Sequence, residues 1–344
     1  MKILYVAYKF DYGIPSHGYS FEHWNFYSSL SAMGNQLTYL DVGSVLADQG
    51  RIGLQNLLQK EVDRTLPDLV FFFLYQDEFN RDAIKALTDR GVPTFNWFAD
   101  DHWRFDDFSA TWASCFTLVS TTAASAVHKY GAMGIPVHKT QWAANTDLYK
   151  PSQESMTHDV TFIGQVYGDR QAYIANLRAS GFAVEAFGTG WSISPAARRL
   201  ASRRGIRRLG GGRYLTSRGS RTRVDQERMI SLFSTSRINL NLTDASQGAE
   251  PQIKGRNFEV PACGGFLLTQ PALDLEQYYE PGKEVALLES PDELATMVAF
   301  YLANPEQRAS IATAGYKRTL AEHTYRQRFS KIFSVMGLPP ARHS

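Results

Sequence analysis

The stretch KGRNFEVPACGGFLLTQ, Lys254 to Gln270, places a carboxylate, Glu259, between Phe258 and Val260 in a run otherwise suited to burial. A buried carboxylate is costly unless something pairs with it, so Glu259 either has a partner or faces outward. One reading makes RNFEVPAC a short helix entered from a loop near Gly255 and Arg256. Its first N–H groups and positive dipole end would then meet an anion. Lys254 and Arg256 add fixed charge at the same place. A diphosphate fits those cations. Glu259, one turn in, can accept from two adjacent hydroxyls such as a ribose presents. The competing reading is a surface glutamate favoured at a helix start by the dipole alone. Cys263-Gly264-Gly265 then ends the helix and lets the strand GFLLT pack closely.

Working outward, short apolar runs alternate with helical spacing on both sides of this stretch. KILYVA (2–7), QLTYLD (36–41), DLVFFFLY (68–75), VPTFNWFADD (92–101), FTLVST (116–121) and PVHKTQWAA (136–144) are strand candidates. A continuous apolar run such as DLVFFFLY is typical of a strand covered on both faces. SFEHWNFYSSLSAMG (20–34), RDAIKALTDRG (81–91) and TAASAVHKYGAMG (122–134) read as helices that stop at glycine. AANTDLYKPSQESMTHD (143–159) is polar, holds a proline and has no periodicity, which suggests a linker. Beyond it come the strands DVTFIG, FAVEAFG, RINLNLT, GFLLT and EVALLE. The helices there are RQAYIANLRASG, DQERMISLFSTS and a helical C-terminus from SPDELATMVAFYLAN onward. Strands separated by helices of this length imply parallel sheets with right-handed crossovers. The expectation is an α/β protein of two doubly wound, Rossmann-like domains. Residues 1–145 form the first, 146–155 a linker, 156–322 the second, and 323–344 a C-terminal helix packing back toward the first. Open parallel sheets bind ligands beyond the carboxyl ends of their strands, so two facing sheets make a cleft suited to group transfer.

The 344 residues suit about two domains, and 44% apolar with 20% charged residues suits chains that bury real cores. Two cysteines, Cys115 and Cys263, are too few for a disulfide framework and are not in metal spacing. A reducing compartment follows, so the cytoplasm is the expected location, with peripheral placement at the inner membrane surface as an extension. No apolar run reaches 18 residues, and MKILYVAYKFDYG reads as a first strand rather than a signal peptide. The net charge of +2 hides a segment, residues 198–223, with ten arginines and no acid. Three readings compete for it: a solvated loop, which is preferred, a surface for anionic lipid, and a holder of an anionic substrate or nucleic-acid phosphates. Nucleic acid is not expected, because Tyr214 is its sole aromatic.

KGRNFEVPACGGFLLTQ also resembles the signature of the CgeB-like glycosyltransferases, relatives of the family 4 retaining enzymes with the GT-B fold. DVTFIGQVYGDR resembles the opening strand and loop of their donor domain. FGTGW, SRINLNLT, YYEPGKEVALLESPDEL and IATAGYKRTLAEHTYRQRFSKIF resemble its later segments, and AANTDLYKP is similar to the interdomain linker. The likeness is dense from 143 to 337 and sparse before that. It implies transfer of a sugar from a nucleotide-diphosphate sugar (UDP, GDP or dTDP) without a cofactor or metal. It implies that Glu259 binds the donor ribose and that Lys254, Arg256 and Arg170 meet the diphosphate, with Gly164 in the same donor loop. The acceptor is a glycan, a protein, a lipid or a small molecule. This chain departs from the family at one position. Family 4 enzymes often carry a second glutamate eight residues before Glu259, where this chain has Pro251; Gln252 or Glu250 would substitute.

On the acceptor side, NWFADDHWRFDD (96–107) is dense in carboxylates at a strand end. Asp100, Asp101 and His102 are candidates for binding acceptor hydroxyls or moving a proton, against a reading as a helix-capping loop of solvated acids. In DYGIPSHGYS (11–20), His17 and Gly18 are candidates for a cleft loop, against an ordinary flexible loop; the glycines there allow close approach to a ligand. Tyr12, Tyr19, Phe21 and Trp24 would stack on a sugar or simply pack. Two further functions stand beside transfer: a GT-B-fold sugar-nucleotide epimerase, and a non-catalytic nucleic-acid or membrane-binding protein that uses the arginine segment.

Overall fold

The structure, a computed structural model, describes residues 1–191, 224–243, 251–288 and 290–340. The arginine segment 198–223 and Glu250 lie outside these residues. The apolar runs become strands at the expected places. β1 (Lys2–Ala7), β2 (Gln36–Asp41), β3 (Leu69–Phe72), β4 (Thr94–Phe98), β5 (Leu118–Thr121) and β6 (Val137–Lys139) form a parallel sheet of order β2-β1-β3-β4-β5-β6. β7 (His158–Ile163), β8 (Val184–Phe187), β9 (Ser236–Asn241), β10 (Leu267–Thr269) and β11 (Ala286–Leu287) form a second, of order β11-β10-β9-β7-β8. All four residues of β3 are buried, as two covered faces require.

One face of the first sheet packs against α1 (Val42–Thr65), α2 (Arg81–Asp89) and α3 (Ala124–Ala132) through Leu54, Leu58, Ile84, Leu87 and Tyr130. The sequence pattern assigned no element to 42–65. The helix there is broken at Gly50, whose φ of 65° interrupts its spacing. The second sheet is covered on one face by α4 (Arg170–Ala179) and on the other by α5 (Gln226–Thr235) and α6 (Arg256–Ala262). α7 (Leu294–Ala303) joins α4 on its face, and α8 (Pro305–Glu322) packs against α6. α6 can lie this close because of the glycine after it. A Cβ on Gly265 would sit 2.5 Å from the carbonyl oxygen of Phe233.

The chain then crosses back. Thr324 and Gln327 form a reciprocal capping box that starts α9 (Tyr325–Val335). Tyr325, Phe329, Ile332 and Phe333 of α9 bury themselves with Tyr5, Phe71, Phe95 and Trp97 of the first sheet. The outgoing and returning crossings are tied together, since Ala144 N–H donates to His323 O (2.9 Å) and Tyr325 N–H to Ala144 O (3.0 Å). The remaining cover on this face is the helical stretch 21–32, wound as a π-helix over His23–Tyr27 and as an α-helix over Ser28–Ala32. A second π-turn spans Phe105–Ser109. π-Turns re-aim the side chains beside them.

Phe329 is fully buried among Phe26, Phe71 and Trp97. Phe329→Ala is expected to destabilise the first sheet by about 3–5 kcal/mol. The midpoint of urea unfolding, followed by far-UV circular dichroism, checks it.

Candidate active site

In each sheet the strand order reverses beside its first strand: β1 lies between β2 and β3, and β7 between β8 and β9. The loops after these strands face one another across a cleft. The larger of two cavities there, about 460 Å³, is walled by Tyr8, Asp11, Tyr12 and Ser20 after β1 and by Gly164, Gln165, Gly188 and Thr189 after β7 and β8. The smaller, about 310 Å³, lies between Asp100, Arg104, Phe108 and Trp142 on one side and Gln252, Lys254 and Gly255 on the other. Phe21, Glu22, Phe73, Tyr75 and Arg256 line both, so the two cavities are one continuous cleft. Gly188 makes part of this shape possible. Its φ is 124°, and a Cβ there would lie 2.4 Å from Gly164 O.

A buried polar lattice holds the start of α6 at this junction. Asn241 Nδ2 donates to Asn257 Oδ1 (3.1 Å) and to Thr269 Oγ1 (3.0 Å), and the backbone N–H of Lys254 donates to Asn257 Oδ1 (2.9 Å). Strands β9 and β10 thereby fix where α6 begins. Gly255 permits contact with the other domain, because a Cβ there would be 3.2 Å from both Phe21 Cε2 and Glu259 Oε1.

Glu259 does have partners, and it does not face outward. It is 0% exposed and lies on the wall of neither cavity. The Tyr149 hydroxyl donates to its Oε1 (2.9 Å), and the Arg256 guanidinium donates to its Oε2 (2.6 Å). Arg256 keeps 21% of its side-chain surface exposed and presents the positive charge to the cleft that the sequence assigned to this stretch.

The other expected residues divide in the same way. Lys254, Gln252 and Gly164 stand on the cleft wall. Lys254 Nζ donates to Gln252 Oε1 (2.9 Å). Asp100 also lines the cleft. Burial raises its carboxyl above the usual range, and Lys254 and Arg104 oppose that rise. Asp101 is turned inward and accepts the Tyr130 hydroxyl (2.8 Å). His102 lines neither cavity. Burial, with the charges of Lys254 and Lys139, lowers its pKa to about 4, which keeps it neutral near pH 7. Arg170 is buried under the β7 loop and donates to Gln165 O (3.1 Å) and Leu242 O (2.8 Å), where it braces the loop instead of facing the cleft. His17 and Gly18 are exposed and off the cavity wall; Asp11, Tyr12 and Ser20 of the same loop are on it. The cleft also holds Glu22 and Arg104, which the sequence reading passed over. Glu22 carried the same signal as Glu259, a carboxylate set in an aromatic run. Among the described residues, no group of three or more His, Cys, Asp and Glu side chains is placed to hold a metal ion.

Against known proteins, residues 170–334 match the family model described as glycosyl transferase-like. No curated protein sequence matches the chain. Solved structures do. HepE of Anabaena, in complex with UDP and glucose, superimposes with a TM-score of 0.65 at 14% identity, over 98% of this chain and 99% of that one. A glycosyltransferase from Rickettsia africae ESF-5 gives 0.63 at 12%, over 97% of each. A UDP-N-acetylglucosamine 2-epimerase gives 0.56 at 12%, over 100% of this chain and 99% of that one. At such identities the likeness is one of fold, and that fold is GT-B.

Two outcomes test the site's physics. Glu259→Ala takes the acceptor from the buried Tyr149 hydroxyl and the carboxylate from Arg256, and is expected to cost about 1–3 kcal/mol, read from urea unfolding. His102 binds its proton more readily unfolded (near 6.5) than folded (about 4). Its contribution to stability is therefore lost as pH falls from 6.5 toward 4. The fall in melting temperature across that window is expected to be shallower in His102→Gln than in the parent. Residues 170–334 thus match a glycosyl transferase-like domain, and the chain that carries them has the GT-B fold.

Proposed function

We propose that the cleft holds a nucleotide-diphosphate sugar and transfers its sugar, with retention and without a metal, to an acceptor entering from the first domain. In this reading the diphosphate lies against Arg256 and Lys254. The nucleoside fills the larger cavity along Gly164–Gln165 and Gly188–Thr189. The sugar meets the acceptor in the smaller cavity beside Asp100 and Gln252. The observation that carries it is Arg256, a cation lining both cavities where the two switch points meet, with Lys254 next to it. The HepE structure in complex with UDP and glucose makes UDP the first nucleotide to try. The resemblance to CgeB-like enzymes supports retention and metal independence.

No protein nucleophile is needed for such chemistry. Fixed cations stabilise the charge that develops on the departing diphosphate, and the diphosphate takes the acceptor proton. Preorganised electrostatics of this kind are usually the largest catalytic contribution. Asp100, held partly toward its protonated form by burial, is placed to hydrogen-bond a hydroxyl of sugar or acceptor. A second reading, epimerisation of a sugar nucleotide, draws on the epimerase of like fold. It needs no acceptor, so conversion of a UDP-sugar to its epimer by the protein alone would favour it.

Thermal stabilisation by UDP, GDP and dTDP, in the presence of EDTA, tests the donor site. A nucleotide at 100 times its Kd adds about 2.7 kcal/mol to stability. One of the three is expected to shift the parent, and Arg256→Ala by much less. Transfer by that variant is expected to fall roughly 10²–10³-fold. No shift with any of them would overturn the reading.

A further inference from the structure

The donor site uses Arg256 but not Glu259, which reaches neither cavity, nor Tyr149, which belongs to the connection between the two sheets. These side chains form one chain of hydrogen bonds. Gln226 Nε2 donates to the Tyr149 oxygen (2.9 Å), the Tyr149 hydroxyl to Glu259 Oε1 (2.9 Å), and the Arg256 guanidinium to Glu259 Oε2 (2.6 Å). The direction is fixed. An arginine can only donate, and a side-chain amide nitrogen likewise. Burial, then the charge of Glu259, pushes the Tyr149 hydroxyl well above its ordinary value, so it keeps its proton and donates. With both oxygens engaged and no surface exposed, Glu259 cannot turn to a ribose without taking the acceptor from the buried Tyr149 hydroxyl and from the Arg256 guanidinium.

We infer that Glu259 and Tyr149 are positioning residues that hold the Arg256 guanidinium toward the diphosphate. Because Tyr149 lies in the interdomain connection, the same contacts tie that orientation to the placement of the domains. The inference rests on the donor reading above and departs from the ribose contact expected of Glu259.

Titration of UDP, GDP and dTDP into the parent, Tyr149→Phe, Arg256→Ala and the double variant tests it. Tyr149→Phe keeps the ring and removes one hydrogen bond. It is expected to weaken the nucleotide that binds by about tenfold and to leave binding of the bare nucleoside unchanged. In the Arg256→Ala background the same change is expected to do nothing further. Additive losses, or equal losses for nucleotide and nucleoside, would overturn the inference while leaving the donor site standing. If the parent discriminates between UDP and 2′-deoxy-UDP and Glu259→Gln does not, Glu259 reads the ribose directly and the inference falls. If no nucleotide binds the parent, the donor reading falls. The urea midpoints of the same four proteins then decide the network: non-additive shifts keep it, and additive shifts end it.

Discussion

A carboxylate without access to water, held between a tyrosine and an arginine, organises this cleft. Taking Glu259 out of solvent is unfavourable, and its attraction to Arg256 offsets that only because geometry and the Tyr149 hydroxyl are both in place. Such a pair is weak evidence for stability and better evidence for a fixed arrangement. α6 supplies Glu259 and Arg256, the interdomain connection supplies Tyr149, and α5 supplies Gln226. Three separate pieces of chain must agree before the cation faces the cavity. The Asn241, Asn257 and Thr269 lattice then fixes α6 to the second sheet, so the charge has a set height above the strand ends.

The first domain meets this cation with different chemistry. Its wall is aromatic, through Phe21, Phe73, Tyr75, Phe108 and Trp142, with Glu22, Asp100 and Arg104 set into it. Both π-turns lie next to that wall. One follows Glu22 directly, and the other contains Phe108 and Ser109. Each adds backbone to a helical turn and so redirects the side chains beside it, which a regular helix would have buried or pointed elsewhere. The result is an apolar wall with two acids opposite a basic ledge, an arrangement in which a sugar can present both its faces and its hydroxyls.

The strands were legible because buried parallel strands leave continuous apolar runs: KILYVA coincides with β1, and DLVFFFLY contains β3. The helices that end at glycine were legible for the same local reason. The helix 42–65 was not, because Gly50 breaks its spacing midway. At the site, Lys254, Arg256, Gln252, Asp100 and Gly164 could be placed from sequence, since each sits in a loop just past a strand or at a helix start. What could not be read was which side chain turns inward. Glu259 takes its partner from Tyr149, 110 residues earlier, in a polar stretch that carries no sign of burial. Asp101 turns to Tyr130 and Arg170 to the carbonyl of Leu242, partners 29 and 72 residues away. One strand end carries Asp100 and Asp101 side by side, and only tertiary contacts separate their fates.

The returning helix α9 has a consequence for how the protein is made. Residues 325–335 follow the whole second sheet in the chain, yet Tyr325, Phe329, Ile332 and Phe333 complete a face of the first sheet. Domains usually finish folding in the order of their synthesis. Here the first sheet emerges with Phe71, Phe95 and Trp97 covered on that face by the stretch 21–32 but not yet by α9. It must wait through translation of the whole second domain before that face is closed. The first domain thus matures only after its second has been made.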